Sequence, residues 1–274
     1  MTTRFLDRAG GSIAYDDTGS GPVILCAPSM GDLRAEYRFL TPLLVAEGYR
    51  VVTMDVRGHG ESSTEWDDFS VAGVGSDMVA LLRSLDGGRA TIVGESMSAG
   101  AAVWAAAEAP DLVASLVLIG PFVRGETTAA NALLYKALFS RPWGPAAWQW
   151  YYSTLYPTRK PVDFAAYIAS LRSNLAEQGR LEALQHMLSA SKSASEQRLR
   201  EVKVPVMVVM GTKDPDFKDP SAEAGAVAEI LHARLHLVEG AGHYPHAEMP
   251  EVVAPLLLAF LSEHQPLREA LHAA

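Results

Sequence analysis

Ala90-Thr91-Ile92-Val93-Gly94-Glu95-Ser96-Met97-Ser98-Ala99-Gly100 is the stretch whose reading decides the fold. A β-branched run stops at a glycine, a serine follows two residues later, and an alanine-rich helical pattern over 101–109 begins at once. Strand, sharp turn and helix in such quick succession leave Ser96 on a strained bend with its hydroxyl exposed. The bend also sets it at a helix N-terminus, where backbone N–H groups favour developing negative charge. The strand and helix backbones approach closely there, so small residues are needed on either side. Gly94 and Ser98 supply them, Ser98 standing where the pattern G-x-S-x-G has its last glycine. A serine that merely caps a buried helix is the alternative reading.

The flanking sequence supplies the rest of an α/β architecture. Residues 4–8 and 12–16 read as a hairpin joined at Gly10-Gly11. Residues 23–27 read as a buried strand, 36–47 as a helix, 50–56 as a strand and 74–85 as an amphipathic helix. After the strand at 90–94 and the helix at 96–108 come a strand at 116–119, a strand at 204–210, a helix at 221–231, a strand at 234–238 and a helix at 250–263. Such alternation means a mostly parallel sheet flanked by helices. The section 122–200 breaks the rhythm, with helical patterns at 127–139, 145–155, 162–177 and 181–191 and no strand. It reads as a helical cap inserted into a core made of 1–121 and 201–274, lying over the carboxyl ends of the strands where open α/β sheets bind ligands. Trp143, Trp148, Trp150, Tyr151, Tyr152 and Tyr156 crowd one part of the cap; most are expected to pack it against itself and some to line an apolar pocket.

Bulk properties narrow the function classes. With 274 residues and 49% hydrophobic residues the chain can bury a substantial core. A formal net charge of −9 with no Lys/Arg block argues against nucleic acid and anionic membrane as partners. No signal-peptide pattern or membrane-length apolar run appears, so a cytoplasmic protein acting on a small molecule, as monomer or homodimer, is expected. The single cysteine, Cys26, lies in an apolar run and reads as core.

A serine hydroxyl needs a base to take its proton and a third group to orient that base. Strand 204–210 runs into Gly211-Thr212-Lys213-Asp214-Pro215-Asp216, and strand 234–238 into Glu239-Gly240-Ala241-Gly242-His243. Asp214 and His243 thus follow strands as Ser96 does, on the same sheet edge, in the order Ser, Asp, His. Asp216 is the rival acid.

That order, with the elbow, resembles the α/β-hydrolase fold family over nearly the whole chain, as a capped serine esterase or lipase-like member. The loop Met54-Asp55-Val56-Arg57-Gly58-His59-Gly60-Glu61-Ser62 resembles D-x-R-G-x-G-x-S, Gly211-x-x-Asp214 resembles the acid turn, and residues 242–251 resemble G-H-x-x-x-x-E-x-P with the following helix. The resemblance implies Ser96 as nucleophile, His243 as general base and acid, Asp214 as orienter, and no cofactor. Where the family usually carries His-Gly-x, this chain has Pro28-Ser29-Met30. Because the oxyanion hole is built from backbone N–H groups, Met30 and Met97 are the expected donors, and Ser29 is expected to satisfy the loop backbone rather than donate its hydroxyl.

Candidate substrate contacts are Ser29, Phe122, Arg124, Trp148, Tyr151, Tyr152 and Tyr244, with Arg124 able to bind an anionic substrate end. His59 is expected to brace its loop, His246 to open a helix or meet solvent, and Glu95 to make a local hydrogen bond. No residues show metal-ligand spacing, and no glycine loop suits a phosphate or dinucleotide. The expected reaction is cleavage of a carboxylic ester, thioester or lactone of a small to medium, largely apolar substrate. The alternatives are a carbon–carbon bond hydrolase, a cofactor-free perhydrolase or haloperoxidase, and a slow-turnover ligand receptor on the same fold.

Overall fold

Eight strands form one sheet in the order β1-β2-β4-β3-β5-β6-β7-β8. They are β1 (Arg4–Arg8), β2 (Gly11–Thr18), β3 (Val23–Ala27), β4 (Arg50–Met54), β5 (Ala90–Glu95), β6 (Val113–Ile119), β7 (Val206–Gly211) and β8 (Arg234–Val238). The computed structural model describes residues 2–125, 128–265 and 267. The tight hairpin at Gly10, whose φ is 106°, makes β1 and β2 antiparallel, and β2 pairs antiparallel with β4. From β4 through β8 every neighbouring pair is parallel, because helices carry the chain back across the sheet between them.

The helices are α1 (Leu40–Ala46), α2 (Val71–Ser84), α3 (Met97–Glu108), α4 (Ala129–Leu138), α5 (Gly144–Thr154), α6 (Phe164–Ala176), α7 (Arg180–Ser189), α8 (Ser193–Glu196), α9 (Pro220–Leu231), α10 (Pro245–Glu248) and α11 (Pro250–His264). The single helix expected over 36–47 is instead a 3-10 turn at Arg34–Arg38 followed by α1. Pro42 has no N–H to donate back to residue 38, so it is tolerated only in a helix's first turn. Ser70 starts α2 earlier than the apolar periodicity suggests, its hydroxyl accepting from Gly73 N at 3.2 Å. Thr128 caps α4 in the same way; the start expected at Thr127 lies outside the described residues.

The inner strands bury both faces. Val23, Leu25 and Ala27 pack with α2, α3 and α9 on one side, and Ile24 and Cys26 pack with α1 and α11 on the other. Helices α4–α8 form one insert between β6 and β7, consistent with a cap. Its hydrogen bonds tie it to loops at the carboxyl edge. Trp148 Nε1 donates to Gly31 O at 3.0 Å, Tyr152 donates to Asp32 at 2.8 Å, and Leu155 O accepts from His243 N at 3.0 Å. Among the described residues no helix is long and apolar enough to cross a membrane.

The loop after β4 braces the edge strands. Asp55 accepts from the backbone N–H groups of Arg34 and Glu61, and Arg57 grips Asp77 through two bonds of 2.8 Å. His59 is buried with Nδ1 3.1 Å from Arg57 O, and burial lowers its pKa to about 4, which makes it a neutral packing residue.

Candidate active site

Ser96 sits between β5 and α3 at φ 55° and ψ −119°, a conformation that costs a non-glycine residue about 1–3 kcal/mol. The surroundings hold it there. Its N–H donates to Ile119 O at 2.9 Å and its carbonyl accepts from Phe122 N at 3.2 Å, so both peptide groups are clamped to the end of β6. A Cβ on Gly94 would stand 2.4 Å from Ser98 O, so the strand-to-helix approach admits only glycine at that position. Ser98 donates from Oγ to Pro28 O at 2.5 Å, an explanation for its presence in the place of the second motif glycine. The hydroxyl ties α3 to the loop after β3.

The acid and the histidine come from the loops after β7 and β8. These loops are stitched together by Thr212 N to Val238 O and Lys213 N to Ala241 O. Asp214, almost fully buried, accepts from Asp216 N at 3.0 Å through Oδ1 and from His243 Nδ1 at 2.6 Å through Oδ2. Glu248 fixes the histidine loop from behind, accepting from the N–H groups of Gly242, Thr158 and Arg159. The ring of His243 packs on Gly120, where a Cβ would come within 3.1 Å of it.

Burial by itself would lower the His243 pKa. The carboxylates of Asp214 and Glu95 outweigh it and hold the imidazole well above its ordinary value. No hydrogen bond joins Nε2 to the Ser96 hydroxyl among the described residues. Nε2 lies 3.1 Å from Glu95 Oε1 and 3.8 Å from Asp216 Oδ2, and among the described residues Ser96 Oγ has no hydrogen-bond partner. Ser96 and His243 nevertheless line one cavity of about 150 Å³.

Of the two expected oxyanion donors, Met30 lines that cavity and Met97 is not among its lining residues. Met97 is the first residue of α3, so its N–H has no partner within the helix. Ser29 N donates to Glu36 Oε2 at 2.9 Å and is thereby spent, whereas Met30, the donor expected from this loop, lines the cavity. Ser29 Oγ, expected to satisfy the loop backbone, makes no such bond among the described residues, and the side chain lines the cavity instead.

The candidate substrate contacts divide. Phe122, Trp148, Tyr151 and Tyr244 line the cavity. Arg124 does not; its guanidinium makes a two-pronged pair with Glu223 at 2.7 and 2.8 Å, so it is already neutralised. Tyr152 is also misplaced by sequence reasoning. It is wholly buried among Tyr156, Phe164, Tyr167 and Tyr244, with its hydroxyl on Asp32. Trp143 and Trp150 are largely exposed and neither lines the cavity; the Trp143 side chain ties to the cap through Nε1, which donates to Ala137 O at 3.1 Å.

Other expectations also change. His246 lies in the first turn of α10, one of the two places expected for it, and does not meet solvent: it is buried, stacks on Tyr37, and lies 2.9 Å from Glu36 Oε1. Burial lowers its pKa to about 3. Glu95 makes no local hydrogen bond; both its oxygens are unpartnered among the described residues. Asp216 and Lys192 line the cavity, and Tyr151 donates to Asp216 at 2.6 Å. One signal for Glu95 was present in the sequence: a carboxylate closing an otherwise apolar strand is a rarity that demands a partner. Ligand atoms of Asp214, Asp216 and His243 lie within 4.8 Å of one another, but His243 Nδ1 is already engaged by Asp214.

The alpha/beta hydrolase family pattern matches residues 23–256. The chain is 31% identical over 260 residues to a dihydrolipoyllysine-residue acetyltransferase component of an acetoin cleaving system from Pseudomonas putida. That match takes in 90% of this chain and 65% of the relative, so the chain spans about two-thirds of that protein. Among solved structures it superimposes on a bromoperoxidase from Bacillus anthracis with a TM-score of 0.83 at 21% identity, covering 95% of this chain and 100% of that one. A thermophilic esterase from Thermogutta terrifontis gives 0.79 at 20% identity, covering 97% and 100%. Strand order, strained serine elbow and family match agree: the chain belongs to the alpha/beta hydrolase family.

Proposed function

We propose that the protein is a serine hydrolase that cleaves a carboxylic ester of a small, uncharged acyl group through an acyl-enzyme. The observation that carries this reading is Ser96 held in a strained turn at the start of α3, in one cavity with a histidine whose Nδ1 is bound by buried Asp214. With its proton on Nδ1, His243 presents the Nε2 lone pair as general base. It takes the Ser96 proton as Oγ attacks the ester carbonyl, and returns that proton to the leaving alcohol as the tetrahedral intermediate collapses. Water, deprotonated by the same nitrogen, then releases the acid. The N–H groups of Met30 and Met97 receive the negative charge that develops on the carbonyl oxygen.

Cavity size supports a short acyl group. A cavity of about 150 Å³ accommodates a molecule of roughly benzene size, whereas drug-sized ligands fill about 300 Å³ or more. Phe122, Trp148 and Tyr151 make part of the wall apolar, and Asp216 and Lys192 set opposite charges in it, so the wall has no net clamp for a free carboxylate.

The test is fluorophosphonate labelling with mass mapping, alongside steady-state turnover of p-nitrophenyl acetate and butyrate. Label on Ser96, and turnover lost by several powers of ten in Ser96→Ala, is the expected result. Label on Ser98, or binding of ester without turnover in the parent, overturns the reading; the second result is that of a ligand receptor.

A further inference from the structure

Glu95 is the last residue of β5, immediately before Ser96. Its carboxyl group is fully buried, and neither oxygen has a hydrogen-bond partner among the described residues. Buried polar atoms are almost always paired, so such a group asks for a functional account. Among the described residues its ion-pair contact is with the imidazole, Oε1 standing 3.1 Å from His243 Nε2. We infer that Glu95 is a positioning residue for His243, a second acid that shares one proton with Nε2 in the resting enzyme and holds the imidazole off Ser96 until that proton leaves. The inference rests on the reading of His243 as the general base for Ser96.

Asp214 occupies Nδ1, so Nε2 carries the only lone pair that can receive the serine proton. A nitrogen and a carboxyl oxygen this close in a buried site need a proton between them. Either Nε2–H faces a carboxylate or a carboxyl O–H faces Nε2, and both arrangements occupy that lone pair. The approach is close but poorly aligned, so the shared proton is weakly held and the ring can turn to Ser96 at little cost. After the shared proton is lost, the Glu95 carboxylate remains beside the ring. It then stabilises the imidazolium formed when Ser96 gives up its proton.

The groups facing this pair act in opposite senses. Burial raises Glu95 well above the carboxylate range, His243 opposes that, and Glu36, Asp32 and Asp214 reinforce it. Asp214 and Asp216 favour the charged imidazole. His246, from α10, is held neutral by burial and brings no positive charge. Burial raises Asp32 and Glu36 to about 8, so both are largely protonated at neutral pH; Asp214 and Asp216 are the carboxylates that favour keeping the shared proton, and Lys192, which lines the same cavity, opposes them.

Glu95→Gln keeps the shape and removes the charge, and its readout is the pH dependence of phosphonate labelling of Ser96 and of ester kcat/KM. A carboxylate beside an imidazolium raises its pKa by about 1–3 units, so its removal should move the acid limb of both profiles to lower pH by about one unit or more. Glu95→Asp, which keeps the charge, should hold the limb near that of the parent. In the parent itself, nitrogen NMR should find His243 Nε2 protonated or hydrogen-bonded at neutral pH. A free Nε2 resonance there overturns the inference whether or not the variants fold. Labelling of Ser96 with superimposable profiles in parent and Glu95→Gln overturns this inference alone. Absence of labelling in the parent removes the serine-hydrolase reading, and this inference with it.

Discussion

Asp214→Asn is the perturbation whose size the structure sets most directly. Asp214 Oδ2 lies 2.6 Å from His243 Nδ1, and both groups are buried. At an effective dielectric of about 20, two unit charges at that separation attract by about 6 kcal/mol, an upper bound on what the aspartate gives to a developing imidazolium. The amide keeps the volume but loses the charge. It can also offer an N–H to Nδ1, which drives the ring proton to Nε2 where the lone pair is needed. The same change in the chymotrypsin-type triad, a worked case in general enzymology, lowers kcat by about 10⁴, or about 5.5 kcal/mol at 1.36 kcal/mol per decade. A loss of about four powers of ten is expected here. Asp216 is the control. It stands 3.8 Å from Nε2, is tied to Tyr151, and holds neither tautomer nor ring plane. Asp216→Asn should therefore cost no more than about tenfold. The assay is steady-state hydrolysis of p-nitrophenyl acetate by both variants, with thermal melts to establish that each is folded. Equal losses in two folded variants would refute the assignment of roles.

Other changes separate packing from chemistry. Tyr151→Ala enlarges the cavity wall and should favour hexanoate over acetate esters by about tenfold or more, since one methylene in an apolar pocket is worth about 1–3 kcal/mol; an unchanged chain-length profile would count against Tyr151 as a selectivity residue. Tyr152→Phe strips a hydroxyl from buried Asp32 and should lower unfolding free energy by about 1–3 kcal/mol without altering that profile, as read by denaturant titration. Arg124→Ala should leave the preference between neutral and carboxylate-bearing esters unchanged, because Glu223 already neutralises the guanidinium. Burial raises the Asp32 pKa to about 8, so in the folded state it stays protonated through the range where the unfolded chain has lost that proton. A raised acid pKa means that stability falls as pH rises towards the folded value, by about 2 kcal/mol between pH 6.5 and 8 for this group; thermal melts of Asp32→Asn should show a flatter decline than the parent over that window.

Much of this molecule was legible along the chain because the relevant physics is local. Buried β-branched runs alternating with helical stretches prescribe a parallel sheet, and a parallel sheet delivers the loop after every strand to one edge. Ser96, Asp214 and His243 each follow such a strand, so their convergence needed only periodicity and order. Gly94 and Ser98 declared the elbow, since only small residues let β5 and α3 approach so closely. What side chains meet within that edge depends on packing between elements far apart in the chain. Arg124 looks free in sequence and is held by Glu223, ninety-nine positions away. Tyr152 looks like a pocket residue, yet the turn of α5 aims it at Asp32, one hundred and twenty positions away. His246 is buried against Tyr37 because the chain enters α10 beneath the 3-10 turn that carries it. Glu95 shows the division most plainly. Its place beside the nucleophile was written in the sequence. Its approach to His243 was decided only when β5 and the loop after β8 were brought together, because rotamer direction and the charges it meets are properties of the packed site and not of the strand.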